Sequence, residues 1–95
     1  MLTSKQRATL RAMANTMDPI MQVGKGGIGE ELILSVDNAL EARELIKMSA
    51  LETSPYTARE AADALAEATG ADVVTVVGRR FVLFRPSTKK PKIIV

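Results

Sequence analysis

Four glycines and a lysine form the segment of this sequence whose residue types could do chemistry. Residues 23–29 read Val-Gly-Lys-Gly-Gly-Ile-Gly, between the apolar residues 20–23 and a helical pattern that opens at Glu30. Glycine loses conformational entropy on folding, so four in six positions indicate a backbone with φ > 0 or a bulky group close by. The amides of such a loop, with the partial positive charge at the start of the next helix, can bind an anion such as phosphate. Lys25 adds a mobile positive charge at the tip of the loop.

One interpretation of these glycines is a dinucleotide site. Residues 24–29 match G-x-G-x-x-G after a strand and before a helix, and Glu52 lies 23 residues beyond Gly29, which is the dinucleotide fingerprint in outline. The short preceding strand, the helix before it and the missing second mononucleotide-binding half argue against this interpretation. A P-loop is excluded, because its last glycine must be followed by Lys and Ser or Thr, whereas Glu30 and Glu31 follow Gly29.

The interpretation that we favour is a GxxG loop made of residues 24–27, which would clamp a nucleic-acid backbone as the loop of KH domains does. Small residues let the chain approach the sugar and phosphate groups closely, and Lys25 can pair with a phosphate. A bare GxxG is a short pattern, so the rest of the chain has to support this interpretation.

The composition excludes most catalytic chemistry. The 95 residues correspond to one domain, and they include no cysteine and no histidine. Thiol nucleophiles, histidine bases, disulfides and the usual zinc sites are therefore absent, and we expect neither an enzyme nor a bound cofactor or metal. The first residues have no apolar core like that of a signal peptide, and no apolar run approaches the roughly 18 residues of a membrane span. We expect a cytoplasmic protein without a membrane partner.

Charge is distributed unevenly along the chain. Residues 1–29 carry four basic side chains and one acid, residues 30–72 three and ten, and residues 73–95 six and none. Net charges of +3, −7 and +6 follow for the three segments. Basic ends around an acidic middle favour one face for a polyanion and another for solvent. The same charges are equally compatible with a surface that is merely solvated.

Hydrophobic periodicity predicts three helices, over about residues 4–16, 30–43 and 54–69. Thr3 and Gln6 form a capping pair at the start of the first helix. Pro55 suits the first turn of the third helix, and Gly70 is the expected stop after it. The apolar stripe of the third helix is nearly all alanine, so this helix can lie close to a sheet.

The second helix is amphipathic. Its apolar residues recur at helical spacing from Ile33 to Leu40, and we expect Asp37, Glu41 and Glu44 to be turned away from them. These acids would form part of an acidic surface.

Four strands are predicted over residues 20–23, 45–51, 72–77 and 80–85, with residues 78–79 as a two-residue hairpin turn. The order αβαβαββ predicts an α/β fold of two layers, a four-stranded mixed sheet against helices. Two right-handed βαβ crossovers would give a parallel core, which the last hairpin extends. We expect a domain over residues 1–86 and a basic tail over residues 87–95, which is either mobile or paired at a sheet edge.

With these elements in place, the sequence resembles the CRM domain family over nearly the whole chain, in particular its small single-domain bacterial members of the YhbY type. The motifs that carry the resemblance are the entry to the first helix, residues 23–28, residues 45–47, residues 69–71, and residues 77–79 leading to residues 82–86. The resemblance implies a fold like the C-terminal domain of translation initiation factor three and a non-catalytic RNA-binding role on precursors of the large ribosomal subunit. One position departs from the family: Gly29 stands where members usually carry Thr or Ser, which cap a helix better.

Ten residues are expected to contact RNA, four in the loop and six cations elsewhere: Gly24, Lys25, Gly26, Gly27, Lys47, Arg79, Arg80, Arg85, Lys89 and Lys90. Phosphate contacts from lysine and arginine supply affinity that depends on salt. Other roles remain open for some of them. Lys47 and Arg85 could instead pair with Asp72 or Glu44, and the hairpin arginines could be merely solvated.

The scarcity of aromatic residues argues against base stacking as the main mode of recognition. Phe81 and Phe84 lie in a strand that should feed the core, which leaves Tyr56. We therefore expect recognition of RNA shape and backbone by a monomer without a small-molecule substrate, with structured ribosomal RNA of the precursor large (50S) subunit as the partner. The alternatives are a nucleotide-binding protein that uses the same loop, and a protein-binding adaptor that uses the acidic surface of the second and third helices.

Overall fold

The structure is a computed structural model and describes residues 2–93. Seven elements follow one another: α1 (Ser4–Ala14), β1 (Met21–Val23), α2 (Glu30–Arg43), β2 (Leu45–Ala50), α3 (Ala58–Thr69), β3 (Asp72–Val77) and β4 (Arg80–Phe84). This order and the α/β class are those that the sequence predicts. No helix among the described residues is both long enough and apolar enough to cross a bilayer.

The four strands form one mixed sheet in the order β1-β2-β4-β3. β1 and β2 are parallel, whereas β4 pairs antiparallel with both β2 and β3. The predicted parallel core with a hairpin added at its edge is therefore wrong in one respect. β4 inserts between β2 and β3, so these two strands are parallel without being neighbours. β1, β2 and β3 therefore run in the same direction, and their C-terminal ends meet at one edge of the sheet, the edge that runs across the strand ends.

Helices cover both faces of the sheet. Alternate residues of β2 and β4 separate into two clusters, Ile46, Met48, Phe81 and Leu83 with α2 and α3, and Leu45, Val82 and Phe84 with α1. Both central strands are thus buried on two faces, which explains their almost continuous apolar sequence. The predicted two layers become three, because α1 lies on the face opposite the other two helices.

Two helix ends follow the predicted local signals. α1 begins with the predicted capping box at Thr3, and α3 ends at Gly70, which has φ 74°. However, α3 starts later than predicted. The Ser54 hydroxyl bonds to the N–H and the C=O of Tyr56, and this turn occupies the predicted start of the helix. The capping residue is Thr57 instead.

Asp37 and Glu41 of α2 and Glu44 just after it do not form the free acidic surface that the sequence predicts: Glu44 is buried, and the side chains of Asp37 and Glu41 are 48% and 30% exposed but bound. They bind Arg85 and residues 87–93, the described part of the predicted tail. This segment forms no strand; carboxylates of α2 hold it instead. The pairing was not visible in the sequence, because the partners of these acids lie 43 to 49 residues further along the chain. Positions 94 and 95 of the predicted tail lie outside the described residues.

Candidate nucleic-acid interface

Three loops meet at the edge of the sheet where β1, β2 and β3 end. They are the glycine loop (residues 24–29), the β2–α3 loop (residues 51–57) and the hairpin turn (residues 78–79). The Leu51 N–H donates to the Val23 C=O at 2.8 Å, and the Ala50 N–H donates to the Arg79 C=O at 2.7 Å. These hydrogen bonds tie both the glycine loop and the hairpin turn to the end of β2.

The glycine loop begins with a hydrogen-bonded turn. The Gly27 N–H donates to the Gly24 C=O at 3.0 Å, and Lys25 and Gly26 occupy the two central positions. Lys25 is exposed, and its ammonium group has no partner within residues 2–93. The backbone N–H groups of Lys25 and Gly26 have no protein acceptor in that range either. The tip of the loop therefore presents bare amides and a cation to solvent.

The glycines of the loop differ in what the fold requires of them. Gly27 has φ 71°, and a Cβ at this position would lie 3.3 Å from the side chains of Pro55 and Tyr56, so the fold requires glycine here. A Cβ at Gly26 or Gly29 would meet no heavy atom of the described chain within 4 Å, and neither residue has a positive φ. The fold does not explain these two glycines. They leave room for a group outside the chain to approach the backbone.

The start of α2 adds a partial positive charge to this site. Its N-cap, Gly29, makes no side-chain capping hydrogen bond, whereas threonines cap α1 and α3. The first amides of α2 therefore lack a side-chain acceptor and point toward the loop. Glu30 and Glu31 in the same turn are exposed and repel phosphate. A phosphate is thus better placed over residues 24–27 than on the axis of the helix.

The hairpin turn brings two arginines to the same edge. Arg79 lies 3.7 Å from Glu52, and the two side chains are 60% and 85% exposed. An ion pair this exposed contributes about 0 to 1 kcal/mol, so it exchanges readily for another anion. Arg80 is exposed and has no side-chain partner in the described chain. It lies beside Ser49 and Val77 in a row across the sheet, on the α1 face.

Lys47 is occupied within the fold. Its Nζ donates to the Ala14 and Met17 C=O groups, at 3.0 and 3.1 Å. These carbonyls lie at the C-terminal end of α1, where the helix dipole attracts a cation. Lys47 therefore caps the C-terminal end of α1, and only the hydrogen of its ammonium group that is not used in these two bonds is available to a ligand.

Arg85 is also occupied within the fold, although its buried Nε has no hydrogen-bond partner among the described residues. Only 14% of its side chain is exposed. It donates to the Asp37 carboxylate at 2.5 Å and to the Thr69 C=O at 2.8 Å, and it lies 3.6 Å from Glu41. Both cations are thus occupied within the fold, but the expected pairing with Asp72 or Glu44 is wrong, because their partners are other groups. In this structure Arg85 is not available to a phosphate.

Lys89 and Lys90 lie in a different region of the surface. They are exposed and belong to the segment that Glu41 binds near the C-terminal end of α2. α2 has 14 residues, so about 21 Å separates this end from the glycine loop at the other. The structure therefore brings the glycine loop and the hairpin arginines together and leaves these two lysines as a separate basic area.

Tyr56 is the residue that sequence reasoning did not place at this site. Its ring packs beside Gly27, and the residue is 38% exposed. No local pattern signals this position, because only the contact between two loops places Tyr56 next to the glycines. Phe81 and Phe84 are buried, as predicted. Tyr56 is thus the aromatic side chain that a base at the glycine loop could reach.

The sequence matches known proteins over almost its full length. The model of the CRS1 / YhbY (CRM) domain family matches residues 2–85. Probable RNA-binding protein YqeI of Bacillus subtilis is 40% identical over 93 residues, which cover 98% of this chain and 97% of that protein. Probable RNA-binding protein MJ0652 of Methanocaldococcus jannaschii is 41% identical over 100 residues, which cover 96% of this chain and 74% of that protein.

A solved structure agrees with the sequence matches. The solution structure of the hypothetical protein SAV1595 from Staphylococcus aureus has a TM-score of 0.82 to this chain and 43% identity, over 100% of this chain and 99% of the other. The neighbour confirms the fold class, and the family match confirms the resemblance that the sequence motifs carry. This chain belongs to the CRS1/YhbY (CRM) domain family.

Proposed function

We propose that this chain is a non-catalytic RNA-binding protein and that the tip of the glycine loop clamps the sugar-phosphate backbone. The observation that carries the proposal is the exposed backbone at Gly26. Nothing in residues 2–93 explains its missing side chain, and its free N–H lies beside the exposed Lys25. A sugar-phosphate group can approach such a bare backbone closely. The relatives from Bacillus and Methanocaldococcus are both named as probable RNA-binding proteins, which supports the same class of ligand.

In this binding mode the loop supplies hydrogen bonds and the basic side chains supply charge. The N–H groups of Lys25 and Gly26 donate to phosphate oxygens, while Lys25, Arg79 and Arg80 displace counterions from the RNA. None of these groups reads the edge of a base, so we expect affinity for RNA shape and backbone with little sequence preference. Tyr56 adds contact area for one unstacked base beside the loop.

The proposed interface is centred on the glycine loop and the hairpin arginines. Lys89 and Lys90 form a second basic area that a longer RNA reaches, and Lys47 lies at the border of the first. Arg85 is left out, because its guanidinium group is already bound within the fold. Residues 1–86 then form the RNA-binding domain and residues 87–95 a basic tail.

The client that we propose is structured ribosomal RNA of the precursor large subunit, bound by a monomer in the cytoplasm during ribosome assembly. The resemblance to YhbY-type members supports this choice. The shape of the site is consistent with it, since phosphate contacts without base readout suit a folded RNA.

Two alternatives receive less support. A dinucleotide site of the doubly wound type needs a parallel sheet, whereas two of the three strand pairings here are antiparallel. A protein-binding adaptor would use the acids of α2, but Glu41 and Glu44 already bind residues 87–93.

Filter binding of a structured ribosomal RNA tests the proposed function. The double variant Lys25→Glu with Gly26→Asp adds negative charge at the tip of the loop without a steric clash, because Gly26 faces open space. We expect its affinity to fall by at least about tenfold, as phosphate contacts are lost and charge is reversed. Arg43→Glu is the control, an exposed arginine in the last turn of α2, far from the loop. If the double variant bound as tightly as the wild type, the glycine loop would not be part of the interface.

A further inference from the structure

A groove lies on the sheet face that α1 covers only in part. Its volume is about 210 Å³, roughly the liquid volume of seven water molecules. This is the scale of a single base and its phosphate, not of a paired stem. The groove shares no lining residue with the glycine loop, and Arg80, next to the hairpin turn, lines it.

α1 leaves part of this face of the sheet uncovered. α1 has 11 residues, about 16 Å in length, and packs over Leu45 and Phe84. Beyond its last turn, Val77 and its register partner Arg80 remain uncovered, and Val77 is 69% exposed. Val77 is the last residue of β3, so the uncovered strip borders the edge of the sheet that carries the glycine loop.

The walls of the groove are basic. Arg11, Lys47 and Arg80 line it, and no aspartate or glutamate within residues 2–93 does so. Lys47 offsets the partial charge of about half a unit at the C-terminal end of α1, so a clear positive excess remains. Arg11 and Arg80 have no hydrogen-bond or ion-pair partner in the part of the chain that the structure describes. Both side chains are thus available to an anion.

The floor of the groove is apolar, with polar groups at its sides. Val77, which is 69% exposed, supplies most of the floor, and the largely buried Val82 lies beside it, while Asn15 and Thr75 contribute an amide and a hydroxyl group. A flat ring can lie on the two valines, and its polar edge can bond to the amide or the hydroxyl. The phosphate of the same nucleotide, joined to the base through the ribose, would have the two free arginines as partners. This mixture of groups suits a nucleotide.

We propose that this groove binds one unpaired nucleotide of the RNA whose backbone the glycine loop holds, an inference that rests on the proposed function. Arg80 provides the connection, since it follows Arg79 of the hairpin turn and both arginines line the surface next to the groove. A base inside a duplex stays in its stack, so only an unpaired nucleotide can enter. An acidic peptide fits less well, because its carboxylates would pair with the arginines but no flat ring would lie on the valine floor.

Two RNA hairpins that differ only by one unpaired nucleotide in the stem test this inference. We expect the wild type to bind the bulged hairpin about fivefold more tightly, the effect of placing one base on an apolar floor. Arg11→Glu and Val77→Glu should each abolish this preference. The two residues belong to different elements and are exposed, so the fold should persist in both variants, and thermal melting checks that it does.

Two further variants separate the groove from the glycine loop. Arg43→Glu reverses the same charge in the last turn of a helix on the opposite face of the sheet, and it should keep the preference for the bulged hairpin. Lys25→Glu should weaken the binding of both hairpins and keep the ratio of their affinities.

The outcomes distinguish failure of this inference from failure of the proposed function. If the wild type bound both hairpins equally, the groove would not hold a nucleotide, and RNA binding itself would stand. If it bound neither, both proposals would fall. If Arg11→Glu and Val77→Glu both kept the preference, or if a polyglutamate peptide removed it without weakening binding of the paired hairpin, the assignment of this groove to a nucleotide would be wrong.

Discussion

Glu44, just after α2, accepts a 2.7 Å hydrogen bond from the backbone N–H of Ser87, 43 residues further along the chain. Its other carboxylate oxygen accepts the N–H groups of Lys92 and Ile93, at 2.7 and 2.8 Å. Glu44 is fully buried and has φ 67°, a conformation that is unfavourable for a residue with a side chain. Hydrogen bonds to an ionised carboxylate offset that cost. They also fix the basic segment 87–93 against α2.

The first prediction concerns this carboxylate. Glu44→Gln removes the charge and turns one acceptor oxygen into a donor that faces a backbone N–H, so we expect Tm to fall by several degrees. Glu67→Gln on α3 is the control, since Glu67 is exposed and has no partner among the described residues. Thermal unfolding followed by circular dichroism measures both. Equal Tm values for the two variants would show that Glu44 does not hold the segment.

The second prediction concerns acid stability. Hydrogen bonds from the Ser87 hydroxyl, and then from Thr88, lower the pKa of Glu41 from 4.5 to about 2. The pKa of Glu44 is also lowered, chiefly by the Ser87 N–H. A carboxyl whose pKa is lower in the folded state stabilises the fold above its unfolded pKa, and this contribution is lost as pH falls through the folded pKa. Stability should therefore decline from about pH 4.5 toward pH 2.

The double variant Glu41→Gln with Glu44→Gln tests this pH dependence. Its Tm should be lower than that of the wild type at pH 7, and the difference should shrink as the pH is lowered from 4.5 toward 2. If the Tm values of the two proteins kept a constant difference over this pH range, the assignment would be wrong, because the stabilising charge would then lie elsewhere.

The third prediction separates two neighbouring glycines. Gly27→Ala forces a side chain into a left-handed backbone against Pro55 and Tyr56, so the free energy of unfolding should fall by about 1–2 kcal/mol. Gly26→Ala meets open space and should leave stability unchanged or slightly raised. It should instead weaken RNA binding, because the new methyl group occupies the approach to the backbone. Denaturant unfolding and filter binding on both variants check this; a Gly26→Ala protein with unaltered RNA affinity would count against the clamp.

The fourth prediction concerns Arg85. Arg85→Lys keeps the positive charge but cannot reproduce the bonds to Asp37 and Thr69. We expect a loss of about 1–3 kcal/mol in the free energy of unfolding and, at a temperature where the variant is folded, the RNA affinity of the wild type. If affinity fell while stability stayed constant, Arg85 would belong to the interface after all.

The sequence predicts the features of the fold that depend on local signals. The capping box at Thr3, the stop at Gly70 and the turn at residues 78–79 are each encoded within a few residues, and all three are present. The order of the strands is not encoded in this way. β4 could pair with β3 alone or insert between β3 and β2. The insertion is favoured because the apolar residues of β4 are then buried on both faces, and this burial depends on the packing of the whole sheet.

In the candidate site, too, the sequence predicts the features that depend on local signals and misses those that depend on distant contacts. The glycine loop and Lys25 are evident from composition and spacing, and the structure shows Lys25, Gly26 and Gly29 exposed. The roles of Lys47 and Arg85 are not, because their partners are backbone carbonyls and acids 16 to 48 residues away in the chain. Tyr56 was not placed for a similar reason, since its neighbour Gly27 belongs to another loop.

The central claim is that the tip of the glycine loop binds phosphate groups of RNA. The dependence of affinity on salt tests it most directly, because each phosphate contact adds about one unit to the slope of log affinity against log salt concentration. For Lys25→Glu with Gly26→Asp we predict a slope that is shallower than that of the wild type by roughly one unit, and for Arg43→Glu an unchanged slope. A double variant with the affinity and the salt slope of the wild type would contradict the claim.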